Sequence, residues 1–207
     1  MNPKLIDTVV SLGKLSFLFG KVERAILYPD KKTVETDTDH TVMLGLVATA
    51  YASRMAPHLD VGKVAEFALI HDLVEAYAGD TPTFGLHAGD SLLEDKARRE
   101  KEALLQIERE LGEELPYIPR MIHEYESLSC AEARFVKALD KCMPTIAHIL
   151  NGGASFADSS TFEPFKRKQS ETLKATYAKD LPEVMELFDA LTDRMVQVLK
   201  ETNTEKA

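Results

Sequence analysis

His71, Asp72 and Glu75 stand inside a segment, 64–78, in which nearly every other position is apolar, and Asp80 follows one residue beyond Gly79. On a helix, one turn separates His71 from Glu75 and leaves Asp72 beside them on the same side. His71 continues the stripe of Val64 and Ala68, and Asp72 that of Ala65 and Leu69, so both point into protein. An ionised carboxylate buried alone is costly enough to be neutralised or matched by a cation. The same conflict recurs twice. His40 lies above Met43, Leu44 and Val47, and Asp140 falls between Val136 and Met143 on an apolar face. Two imidazoles and two carboxylates suit a divalent transition ion with positions left open for water. A lone buried His or Asp is more often a hydrogen-bonded core residue, and His-Asp pairs are common by chance. The metal reading therefore rests on the ordered set His40, His71, Asp72 and Asp140, each on an apolar face.

Helices must carry these groups. Apolar residues recur with helical periodicity, and strict two-residue alternation is absent. The pattern predicts helices over 3–19, 40–55, 61–78, 91–111, 120–127, 130–150, 161–178 and 181–201. The cluster TDTD at 36–39 offers N-cap oxygens to the second helix, and residues 21–39 otherwise read as irregular. Ala56-Pro57, Gly79, the LGEELPYIP stretch and Asn151-Gly152-Gly153 mark breaks. Pro144 removes the helical hydrogen bond to the carbonyl of Asp140, a reason for a bend there. No repeat or linker divides the chain. The fold class expected is all-α, a single domain with its metal-site core over 24–150 and C-terminal helices over 161–201. The stripe Leu181, Val184, Met185, Phe188, Leu191, Met195, Val198 and Leu199 can cover that core or meet a second copy of the chain.

Composition narrows the chemistry. A formal net charge of −9 leaves no electrostatic footprint for nucleic acid or an anionic membrane. An anionic ligand would need local cations or a metal against that field. The uncharged runs 41–53 and 142–157 are too short to span a bilayer. The apolar stretch 5–19 is interrupted by Asp7 and Lys14 and lacks a small-residue cleavage site, so it reads as an amphipathic helix of the mature chain. Cys130 and Cys142 make no disulfide framework, and a reducing cytoplasm is the expected setting.

The order His…His-Asp…Asp, with HDLVE at 71–75 and GDTPT at 79–83, resembles the HD-domain metal-dependent phosphohydrolases, and within them the small bacterial 5′-deoxynucleotidase branch. The likeness runs from Arg24 to Asp140 and more loosely through 91–111. It implies an HD-type helical bundle in which His40, His71, Asp72 and Asp140 hold one divalent transition ion: cobalt, manganese, zinc, nickel or iron. It further implies that Glu75 is the acid/base carboxylate, that Asp80, Thr81, Pro82 and Thr83 form the substrate loop, and that Arg24 orients the substrate phosphate. A homodimer is implied as well. The sequence departs from the branch at Ala25, where relatives carry a Trp against the sugar; this chain has no Trp at all.

The reaction expected is hydrolysis of a phosphomonoester, a nucleoside 5′-monophosphate, with no nucleic-acid or membrane partner. A nucleoside triphosphate triphosphohydrolase would use the same ligands but needs more cations. A dinuclear phosphodiesterase or diiron oxygenase of the same fold would need His87 or His123 as further ligands; both read instead as ordinary loop and surface histidines, and His58 and His148 as structural. A non-enzymatic helical module would need no ligand set at all.

Overall fold

The structure, a computed structural model, describes residues 2–82, 90–154, 159–176 and 180–205. Helix α1 (Pro3–Phe19) leads into a hairpin of β1 (Glu23–Leu27) and β2 (Val34–Thr36). There follow α2 (Asp37–Met55), α3 (Val61–Ile70), the short α4 (Glu75–Ala78), α5 (Ser91–Leu111), α6 (Tyr117–Ser127) and α7 (Ala131–Asp140). Helices α8 (Met143–Leu150), α9 (Ser159–Thr176) and α10 (Pro182–Glu205) complete the order. The all-α expectation is borne out, with a two-stranded sheet as its exception among the described residues.

That hairpin occupies the segment read as irregular. Its strands pair antiparallel, Glu23 opposite Thr36 and Leu27 opposite Val34. Strands of five and three residues leave no room for a visible alternation. Its turn is built by Asp30, whose Oδ1 accepts from the backbone N–H groups of Lys32 and Thr33, both at 2.9 Å. Asn151, at the end of α8, donates from Nδ2 to the carbonyl of Leu27 at 2.7 Å and fastens the hairpin to the helices. Where β2 ends, Thr36 caps α2 reciprocally with Asp39, so the helix begins at Asp37 rather than 40.

Two helices expected to be continuous break, each at a candidate ligand. The 61–78 helix stops at Ile70, and Leu73 and Glu75 donate their N–H groups three residues back, to Ile70 and Asp72. That tighter turn draws His71, Asp72 and Glu75 together. The 130–150 helix stops at Asp140 and resumes at Met143; Pro144, without an N–H, opens the next helix. Gly79, at φ +72°, closes α4 in a conformation that strains other residues and turns the chain toward Asp80. Helix α6 begins at Tyr117 rather than 120, because Pro119 is tolerated in a first turn.

The core lies between α2, α3, α6 and α7, where Leu44, Ala48, Val64, Phe67, Tyr125, Phe135, Val136 and Leu139 are fully buried. Leu15 and Phe19 of α1 join it. The α10 stripe is spent within the chain: Leu181, Val184, Met185 and Phe188 enter the main core, while Met195 and Leu199 pack with Phe162 of α9. Tyr51 of α2 also donates its hydroxyl to the carbonyl of Glu183 at 2.8 Å. No helix among the described residues is long and apolar enough to cross a membrane.

His148 of α8 is buried beside Lys166 of α9. Burial, with the Lys166 charge adding to it, lowers its pKa to about 4. The unfolded chain therefore takes up this proton first as pH falls. Stability owed to neutral His148 is complete above about 6.5 and is lost progressively between there and 4, by up to about 3 kcal/mol. The melting-temperature gap between wild type and His148→Gln is expected to narrow from pH 7 to pH 4.5. A gap independent of pH would show that His148 titrates alike in both states.

Candidate metal centre

His40 comes from the first turns of α2, His71 and Asp72 from the break after α3, and Asp140 from the last residue of α7. Each offers one donor atom, and the four donors lie within 4.8 Å of one another. His40 Nε2 is 2.9 Å from Asp140 Oδ1. His71 Nε2 is 3.0 Å from Asp72 Oδ2 and 3.9 Å from Asp140 Oδ1. His71 Nδ1 donates to the carbonyl of Ala68 at 2.8 Å, which puts a lone pair on Nε2 in the neutral ring. That nitrogen is buried without a hydrogen bond and faces two carboxylates. A lone pair set against anionic oxygens is repulsive, and a cation at their centre relieves it. The donor set therefore fits a metal ion of the kind that prefers nitrogen and oxygen ligands.

Protons compete for the same place. Burial disfavours the His71 imidazolium, but Asp72 and Asp140 outweigh it and raise its pKa. His40 moves the other way, lowered mainly by burial. Burial raises Asp72 and Asp140, yet both end below the usual carboxylate range, Asp72 through His71 and Arg24, Asp140 chiefly through Lys141 and His40.

A second layer surrounds the donors. Arg24 Nη1 donates to Asp37 Oδ1 at 2.9 Å and to Asp72 Oδ2 at 3.2 Å. Its guanidinium also lies 3.7 Å from Glu35 and 3.9 Å from Glu75. Burial pushes Glu35 up to about 7 and Asp37 up to about 6, with Arg24 opposing both. Glu75 is pushed up to about 9, by burial first and then by the Asp72 charge. Lys96 of α5 donates to Glu75 Oε1 at 2.7 Å, and Lys141 to Asp140 Oδ2 at 2.7 Å. Arg99, also on α5, binds the carbonyl of Ala78 and reaches Thr81 Oγ1 at 2.6 Å, pinning the chain on either side of Gly79 and Asp80.

These groups open on a cavity of about 390 Å³, the size of a small-molecule site. Arg24, His71, Asp72, Glu75, Asp80, Thr81 and Asp140 line it, together with Lys96, Lys101, Lys137 and Lys141. His40 sits behind the lining, fully buried. Pro82 is exposed and outside the lining, while Thr83 and His87 lie outside the described residues. His123 is exposed on α6, 2.6 Å from Glu108, away from the donors.

Five neighbours escaped the sequence reading: Glu35, Asp37, Lys96, Arg99 and Lys141. Lys96 carried a usable signal, since helical periodicity aligns it with the buried Ala103 and Ile107. Glu35 and Asp37 did not, because their burial follows from the hairpin.

Residues 21–185 match a family model described as an HD domain. This chain belongs to the HD-domain family. The resemblance seen at HDLVE and GDTPT is thereby borne out at the level of the family. Human 5′-deoxynucleotidase HDDC2 is 33% identical over 137 residues, covering 64% of each chain. The 5′-deoxynucleotidase hdd1 of Schizosaccharomyces pombe is 31% identical over 144 residues, 67% of this chain and 69% of that one. The 5′-deoxynucleotidase YfbR of Escherichia coli is 24% identical over 190 residues, 84% of this chain and 91% of that one. The match spans only 54% of the length of the cattle HDDC2 protein. A crystal structure described as a predicted metal-dependent phosphohydrolase from Magnetospirillum magnetotacticum shares the fold. Its TM-score is 0.74 at 23% identity, over 94% of this HD-domain chain and 97% of that one.

If Asp72 is a ligand, Asp72→Ala protein, folded by circular dichroism, is expected to lose bound metal on elemental analysis. Full metal retention would remove Asp72 from the donor set.

Proposed function

We propose that this protein is a metal-dependent phosphomonoester hydrolase that releases phosphate from nucleoside 5′-monophosphates. The observation that carries the reading is a four-donor cluster opening on a cavity that also holds a lysine-braced carboxylate, Glu75. His40, His71, Asp72 and Asp140 would hold one divalent transition ion, cobalt, manganese, zinc, nickel or iron. When bound, such an ion supplies Lewis acidity toward water and a phosphoryl oxygen.

The remaining work belongs to the chain. Glu75 Oε1 is held by Lys96, while Oε2 is buried without a hydrogen bond, which leaves it free to exchange a proton. It takes one from the attacking water or gives one to the leaving 5′-oxygen. Arg24 orients the phosphate, since positioning and charge dominate phosphoryl transfer. Asp80 accepts from a sugar hydroxyl, and Thr81, steadied by Arg99, borders that end of the site. A second reading, nucleoside triphosphate hydrolysis, gains from Lys101 at the cavity, a cation beyond those paired with Glu75, Asp140 and Glu126.

The proposal extends to a single-domain homodimer in the cytoplasm. Two free thiols fit a reducing compartment. With α10 packed within the chain, the exposed Val9, Val10 and Phe17 of α1 are the better support for self-association. Sedimentation at micromolar concentration is expected to give a dimer, and a clean monomer would exclude it.

Ala25 is exposed and does not line the cavity, so nothing at that position screens the sugar. Metal-reconstituted protein given a panel of ribo- and deoxynucleoside mono- and triphosphates is expected to release orthophosphate from monophosphates. Discrimination in kcat/KM between the two sugars should stay within about one order of magnitude, as one missing contact is typically worth about 1–3 kcal/mol. Release of tripolyphosphate would favour the second reading, and a strong deoxy preference would place the selector elsewhere.

Glu75→Gln keeps shape but removes the basic oxygen. Its kcat is expected to fall by about 10²–10⁴-fold with metal content near wild type. A structural Glu75 would instead lower the melting temperature and leave turnover nearly intact.

A further inference from the structure

The two histidines of the cluster are held differently from behind. His71 has its rear nitrogen satisfied by the backbone carbonyl of Ala68 at 2.8 Å. His40 is fully buried, and its rear nitrogen, Nδ1, has no hydrogen-bond partner. What faces it is a side chain from the hairpin. Glu35 Oε1 lies 4.0 Å away, and the carboxylate is itself buried, with Oε2 unpartnered and 3.7 Å from Arg24 Nε. Glu35 is thus a second carboxylate carried into the core with no hydrogen bond that would explain it.

The placement of the ring hydrogen explains both orphans. Against ionised Asp140, His40 Nε2 sits at 2.9 Å and serves as donor, so the hydrogen of the neutral ring is on Nε2 and Nδ1 presents a lone pair toward Glu35. Ligation through Nε2 needs the opposite tautomer. The hydrogen leaves Nε2 and reappears on Nδ1, where Glu35 is the acceptor facing it. An approach of about 1 Å brings the pair to hydrogen-bond length. Metal-bound imidazoles are ordinarily oriented in this way, by a carboxylate or carbonyl on the other nitrogen.

We infer that Glu35 is a positioning residue for the metal centre: it accepts the Nδ1 hydrogen of His40 and so presents Nε2 to the ion. The inference rests on the reading of His40, His71, Asp72 and Asp140 as ligands. It also gives the hairpin a role, because β2 delivers Glu35 to His40 and β1 delivers Arg24 to the opposite oxygen of Glu35.

The test is affinity for Zn²⁺ alone, by competition with a chromophoric chelator, in wild type, Glu35→Leu and Glu35→Gln. Removing a carboxylate of this kind is expected to weaken binding about 10–100-fold. Glu35→Leu should show that loss, and Glu35→Gln, an uncharged acceptor of the same shape, a loss of several-fold. Long-range ¹H–¹⁵N spectra of the Zn²⁺-loaded wild type should show the His40 hydrogen on Nδ1. Melting of the metal-free Glu35→Gln protein should stay near wild type. Unchanged affinity in Glu35→Gln, or a lowered metal-free melting temperature in its place, would overturn the inference while leaving the metal centre standing. Glu35→Gln and the spectra decide the matter even if Glu35→Leu does not fold. A wild type that binds no Zn²⁺ or other divalent transition ion would instead overturn the metal centre itself.

Discussion

A carboxylate enters a helical core only in company, and here the company is one guanidinium. Arg24 lies within 4 Å of Asp37, Asp72, Glu35 and Glu75, which come from the start of α2, the break after α3, strand β2 and the start of α4. Removing the cation from such a buried group typically costs about 3–5 kcal/mol, because the carboxylates are left uncompensated. Much of the local architecture follows from holding Arg24 there. The hairpin carries it inward, Asp30 folds the turn, Asn151 anchors the strand, and the Thr36–Asp39 cap starts α2 at the residue that receives its Nη1.

One guanidinium does not balance the centre. Of the groups that touch one another there, Glu35, Asp37, Asp72, Glu75, Glu100 and Asp140 are carboxylates, and Arg24, Lys96 and Lys141 are cations. Six against three leaves three negative charges when all are ionised. The raised pKa values of Glu35, Asp37 and Glu75 are the protein's response, since a buried acid short of cations takes up a proton instead. A divalent ion among the four donors would supply most of the missing charge by another route. The donor geometry and the charge balance are independent arguments, and they ask for the same thing.

How much of this was legible in the sequence depended on how local each cause is. The four-donor cluster could be read because each member interrupts an apolar helical stripe, and periodicity is a local property. Helices α1 and α5 run over 3–19 and 91–111 as their patterns predict, and TDTD does cap α2. The breaks at His71 and Asp140 were hidden, because the apolar periodicity runs on through both; Pro144 alone hinted at the second. The hairpin was too short to announce itself. Glu35 and Asp37 looked like two more acids in a polar stretch, and only the tertiary position of Arg24 explains their burial.

The same charges bear on how an anion could be held. Arg24, the residue expected to meet phosphate, already gives Nη1 to Asp37 and Asp72. Lys96 and Lys141 are likewise bonded to Glu75 and Asp140. A phosphate entering the metal-free cavity would therefore face cations whose fields are largely cancelled by their own partners, inside a chain of formal net charge −9. A divalent ion would change more than the chemistry of water. It would take up the charge of Asp72 and Asp140, and so release part of the fields of Arg24 and Lys141 toward the cavity, where Lys101 also faces the entrant. Ion and phosphate would then bind cooperatively through electrostatics alone, with no change of shape required.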